Sequence, residues 1–204
     1  MNATAALRLA HDEHASARSI GLWVFMGVAT MLFSLFILAY VMRMSGDDAI
    51  ALALPWQLWL SSALLAAGSV ALQRAATAAR RARTRPTRRL MLAGGFCAIA
   101  FLAVQLWAWQ SLLAAQVHPA AHPAGSFFYM LTAMHGLHLM GGLVAWAWTA
   151  GDAWRVAPMA PAELASRIAL CARYWHFMLA VWLVLFAVLG WLTPEVARFI
   201  CGTA

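Results

Sequence analysis

Long apolar runs separated by short polar breaks set the pattern of this chain. A helix needs about 20 apolar residues to cross a hydrocarbon core of about 30 Å. Five runs meet that length: 20–42, 54–76, 90–117, 126–148 and 168–192. Turn-forming residues fall between them. Ser45-Gly46-Asp47-Asp48 reads as a turn, and His118-Pro119 with His122-Pro123-Ala124-Gly125 separates the third run from the fourth. Pro158 and Pro161 interrupt the next connection, and Thr193-Pro194 closes the last run. No internal repeat is visible. The pattern predicts an all-α integral membrane protein: a tail over 1–19, a single five-helix bundle over 20–192, and a second tail over 193–204.

Composition supports lipid as the solvent. The chain is 64% hydrophobic and 10% charged, whereas a soluble domain is about 25% charged. All 14 cationic residues are arginine, and seven lie between Arg74 and Arg89. A basic run can mark nucleic-acid binding, but this one joins two apolar runs and reads as a cytoplasmic loop beside anionic lipid. With the N-terminus in the cytoplasm, twelve arginines face inside, and only Arg43 and Arg198 face outside. That bias predicts a cytoplasmic N-terminus and a periplasmic C-terminus. Tryptophans gather near both expected boundaries, as amphipathic rings do. The charged stretch before Ser19 lacks the early apolar core of a signal peptide. Cys97, Cys171 and Cys201 have no metal-binding or disulfide spacing.

Ionisable groups inside a bilayer are costly and usually functional. No Asp or Glu falls within the five runs; His135, His138 and His176 do. His135 and His138 share a helix side, and His138 and His176 come to similar depth. Haem or metal ligation is the sharper reading of these imidazoles. Neutral histidines bonded to backbone or hydroxyls fit better, because only one facing pair is offered and no intramembrane carboxylate orients it. His138, Gly142, Ala145 and Thr149 fall on one face, where small residues admit a neighbouring helix. Gln105 carries a buried amide that suits an interhelical bond or a partner subunit.

Two segments resemble a known family. Phe127-Phe128-Tyr129-Met130-Leu131-Thr132-Ala133-Met134-His135-Gly136-Leu137-His138, followed by Gly142, is similar to the FF-x-LT-x-x-HG-x-H stretch of subunit III of the haem-copper respiratory oxidases. Tyr174-Trp175-His176-Phe177, followed by Trp182, resembles the family's YWHF…W stretch. Gly21-Leu22-Trp23-Val24-Phe25 with Phe33 and Ala39-Tyr40, Leu60-Ser61-Ser62, and Phe101-Leu102-Ala103-Val104-Gln105 resemble three further segments. The likeness runs in order over 20–192 and is to the five-helix form found in bacterial oxidases. Three intramembrane acids of the family are replaced by Ala29, Ala108 and Leu179, so a proton-buffering role does not carry over.

The resemblance implies a non-catalytic subunit of a terminal oxidase in the bacterial inner membrane. Its partners would be the haem- and copper-bearing subunit I, subunit II and membrane lipids, with no nucleic acid. The chain would bind no haem or copper itself and would hold structural phospholipid. His135, His138, Gly142, Trp175 and His176 are the packing and lipid candidates, and Arg80, Arg81, Arg83 and Arg85 the headgroup contacts. One rival is an accessory subunit of a nitric oxide reductase or another haem-copper relative. A rival of another class is a b-type membrane cytochrome using the three histidines. A transporter is disfavoured, since no inverted repeat or pair of broken helices is present.

Overall fold

In the computed structural model, residues 3–46, 54–117, 123–155 and 160–202 are described, and all regular structure among them is helical. Asp47, Asp48, His118, Pro119, His122 and Pro158, which the sequence places in turns, lie outside the described residues. Six helices follow in order: α1 Ala3–Met44, α2 Gln57–Arg80, α3 Thr84–Ala114, α4 Pro123–Trp154, α5 Pro161–Trp191 and α6 Pro194–Cys201.

The helices outrun the apolar segments, mostly on one side. α2 continues past 76 to Arg80, α3 begins at Thr84 instead of 90, α4 runs on to Trp154, and α5 begins at Pro161 instead of 168. These added turns carry arginine and alanine, which favour helix as much as leucine does. Hydropathy marks where lipid would begin, whereas backbone hydrogen bonding continues until a breaker stops it. Pro86 sits in the first turn of α3, where its missing N–H costs nothing. α1 likewise begins at Ala3, so the expected tail is helical over most of its length.

Among the described residues, four helices are long and apolar enough to cross a membrane: α1 from Ser16, α3, α4 from Ala124, and α5. α2 does not reach that mark, because Gln57, Ser61, Ser62, Ser69, Gln73 and Arg74 dilute its apolar run. α2 is nonetheless the most embedded element, with its largest interface against α3 and its next against α5. Its glycine permits this. A Cβ on Gly68 would lie 3.1 Å from Cys97 Cβ and 3.4 Å from the Gly94 carbonyl, so the two backbones touch across the α2–α3 hairpin.

The hairpin turns on two hydrogen bonds. Arg83 N–H donates to Ala78 O at 3.0 Å and Ala82 N–H to Ala79 O at 2.9 Å. Ala82 holds φ at 53°, in the left-handed region. This is the paired closure of a Schellman motif, with alanine where glycine is usual.

α2, α3, α4 and α5 form the packed core. α1 contacts α5, α4 and α6 and touches neither α2 nor α3 among the described residues. A hydrogen-bonded seam runs down α3 and α4. Trp109 Nε1 donates to Thr132 Oγ1 (3.1 Å), and Trp146 Nε1 donates to Met91 O (3.0 Å). From α5, Trp182 Nε1 reaches across to Ser62 Oγ on α2 (2.8 Å).

Candidate functional site: a cleft between α1 and the α4–α5 pair

Because α1 leans on α4 and α5 and not on α2 or α3 among the described residues, it leaves a cleft of about 680 Å³ beside them. The walls are almost wholly apolar. α4 contributes Gly141 and Ala145, whose lack of bulk leaves the space open, and Gly142, and α5 contributes Leu170, Cys171, Tyr174 and Trp175. α1 supplies Leu22 and Phe25.

Three of the residues singled out in the sequence meet here: His138, Gly142 and Trp175. Gly142 is required by close approach. A Cβ on it would lie 2.5 Å from the Tyr174 ring and 3.1 Å from that of Trp175. Tyr174 is fixed from its far end, where its hydroxyl donates to His138 O at 2.8 Å. His138 Nδ1 lies 2.7 Å from Met134 O. A carbonyl only accepts, so the proton is on Nδ1 and Nε2 is left as an acceptor. The rings of Phe25 (5.9 Å) and Phe33 (5.2 Å) hold this imidazole from α1.

The other two histidines lie apart from the cleft. His176 faces outward between α2 and α5, with Nδ1 2.6 Å from Ser69 Oγ and Nε2 3.2 Å from Gln73 Oε1. One tautomer satisfies both bonds: Nε2–H donates to the amide oxygen, and the serine hydroxyl donates to Nδ1. His135 is fully buried among the rings of Phe33, Phe101 and Trp182. Among the described residues, no group of three or more His, Cys, Asp or Glu is placed to hold a metal ion.

Arg80, Arg81, Arg83 and Arg85 are exposed around the α2–α3 connection and do not line the cleft. Two other arginines do: Arg18 and Arg167. Arg167 bridges α4 and α5, with Nη1 2.6 Å from Asp152 and Nη2 2.8 Å from Glu163. Arg18 from α1 joins Glu163 at 3.6 Å, and Arg155 joins Asp152 at 3.6 Å. Three guanidinium groups and two carboxylates therefore gather at one end of the cleft, with Arg18 and Arg167 on its wall. Arg18 and Arg167 carry little signal in the sequence, because each lies alone, away from the dense arginine run. The i,i+4 spacing of Glu163 and Arg167 was the available signal.

The replaced acids fall at interior positions. Ala29 and Ala108 are buried at 2% and 0% exposure, and Leu179 is partly buried against the core. Gln105 is also buried, so it faces no partner outside the bundle.

No family model matches the chain. Curated relatives do. A probable cytochrome c oxidase subunit 3 of Nocardia farcinica is 34% identical over 97 residues, which is 48% of this chain and 45% of that protein. A probable cytochrome c oxidase subunit 3 of Mycobacterium leprae is 38% identical over 65 residues, 32% of this chain and 31% of the relative. One of Mycobacterium bovis is 32% identical over 89 residues, 44% of this chain and 43% of the relative. The chain thus spans less than half the length of the curated relatives it matches. With the apolar helical bundle, these relatives support the subunit III family of the oxidases.

Proposed function

We propose that this chain is a non-catalytic subunit III of a haem-copper terminal oxidase in the bacterial inner membrane, packed beside the catalytic subunit and holding phospholipid in the α1–α4–α5 cleft. Oxygen reduction and proton pumping belong to the partner, with its haem and copper; subunit II completes the assembly. The observation that carries the lipid role is an apolar cleft with two guanidinium groups, Arg18 and Arg167, on its wall at one end. An acyl chain suits the walls, and a phosphate headgroup suits Arg18 and Arg167, each cation near a membrane surface contributing about 1 kcal/mol. The volume of about 680 Å³ lies within the usual range of roughly 300–1,000 Å³ for small-molecule sites.

The bundle crosses the membrane five times over 20–192, α2 included, with the arginine-rich end in the cytoplasm and the C-terminus in the periplasm. At 24 residues, α2 is about 36 Å long, enough to span. Three of its polar groups reach partners on neighbouring helices: Gln57 Nε2 donates to Ser111 Oγ at 2.8 Å, Ser62 Oγ accepts from Trp182, and Ser69 meets His176, while Gln73 and Arg74 are exposed toward its arginine-rich end. Polar side chains satisfied in this way are compatible with a lipid-embedded helix.

Affinity purification of the tagged chain from native membranes tests the reading. A haem-copper subunit, identified by mass and by haem absorbance, is expected to come with it. Recovery of a nitric oxide reductase core instead would favour that relative. A haem spectrum from the isolated chain, lost on His138→Ala, would favour the cytochrome reading. For the lipid role, native mass spectrometry of the complex is expected to show bound phospholipid that falls away in the Arg18→Gln/Arg167→Gln double variant.

A further inference from the structure

Among the described residues, three side chains in the bundle interior have no hydrogen-bond partner on any polar atom: His135, Gln105 and Trp175. Of these, His135 and Gln105 both donate and accept, whereas an indole only donates. His135 on α4 is fully buried, and neither ring nitrogen has a partner among the described residues. Gln105 on α3 is 4% exposed, and neither its amide oxygen nor its amide nitrogen has one. More than nine in ten buried polar groups in folded proteins are paired, with protein or with ordered water. Elsewhere in this core Ser61, Ser69, Thr132, Trp109, Trp146 and Trp182 obey that rule.

Register brings the two together. Phe101, Gln105 and Trp109 follow one another at four-residue steps on a single face of α3. On the facing α4, His135 stands against the Phe101 ring at 5.7 Å, and Thr132 accepts from Trp109. Gln105 therefore lies on that face between the level of His135 and that of Thr132. From α5, Trp182 closes the space, 5.2 Å from His135 and 5.1 Å from Phe101 between ring centroids. The neighbouring polar groups are already committed. Thr132 donates to Phe128 O and accepts from Trp109, and Trp182 donates to Ser62.

We propose that His135 and Gln105 form a buried hydration site in which one or two water molecules bridge the imidazole and the amide. The chemistry selects water. A neutral imidazole offers one donor and one acceptor, and an amide offers both kinds. A bridging water needs two to four such partners. Both residues are neutral and both donate and accept, so the pair matches a small neutral molecule of the same double character. The site is separate from the lipid cleft, which neither residue lines, and it stands whether or not the chain assembles with an oxidase.

Water-edited solid-state NMR tests it, using the full chain with ¹⁵N-labelled histidine in phosphatidylglycerol–phosphatidylethanolamine bilayers. His135→Phe identifies the His135 signals by their loss. The expected result is polarisation transfer from water to the His135 nitrogens, lost in Gln105→Met, while the His138 signals keep their shifts and so report an intact bundle. Dry His135 nitrogens in the unmodified chain would overturn the site. Wet nitrogens unaffected by Gln105→Met would overturn the bridge to Gln105.

Discussion

Gly142 is the residue on which the cleft wall turns. The sequence shows it on the face of α4 shared with His138 and Ala145, and the structure gives the reason: the Tyr174 and Trp175 rings occupy the space a side chain would need. Gly142→Val is expected to destabilise the fold by about 1–3 kcal/mol, as overpacking does. The check is an unfolding titration in mixed micelles with Gly141→Val as control, since nothing lies within 4 Å of a Cβ on Gly141. Ala82 offers the opposite sign. Its φ of 53° burdens a side-chain-bearing residue by roughly 1–2 kcal/mol, so Ala82→Gly is expected to stabilise the α2–α3 hairpin by about 1 kcal/mol in the same titration. Nothing in the sequence marks Ala82. Its conformation follows from where α2 happens to end, a question of hydrogen bonding and not of residue type.

Among the helices, α2 shows what hydropathy can and cannot give. Its length and its place between turns were legible, yet its serines and glutamines make it the least lipid-like of the long helices. Which way those groups point depends on α3 and α5, and the sequence of α2 alone does not contain that. The bond from Trp182 Nε1 to Ser62 Oγ is an example. Ser62→Ala leaves the indole N–H without its acceptor and is expected to cost about 1 kcal/mol. Ser62→Thr, which keeps the hydroxyl, should restore most of that loss. Equal stability of the two variants would show that the bond contributes nothing. Helix ends were read less well than helix existence for the same reason: Arg80, Thr84, Trp154 and Pro161 lie beyond the apolar runs but within continuous backbone hydrogen bonding.

For the whole molecule, the cleft was the part least visible in advance. His138, Gly142 and Trp175 were picked out singly, but the space among them exists because α1 touches α4 and α5 and not α2 or α3. No local pattern encodes a missing interface. The proposed orientation has a direct test in Cys201, which is exposed at the end of α6, while Cys171 is buried. In intact spheroplasts, a membrane-impermeant maleimide is expected to label Cys201, and a cysteine placed at Arg83 only after permeabilisation. The reverse labelling would invert the topology. The cleft also has an open flank, where Leu137, Gly141 and Trp148 are exposed along α4. On the proposed reading, a guest would enter sideways from the surrounding leaflet without ever leaving oil. Occupancy would then track whatever amphiphiles the leaflet contains, so that growth temperature, through its effect on fatty-acid composition, would become a variable of the chain, and the detergent chosen for extraction a competitor for the same berth.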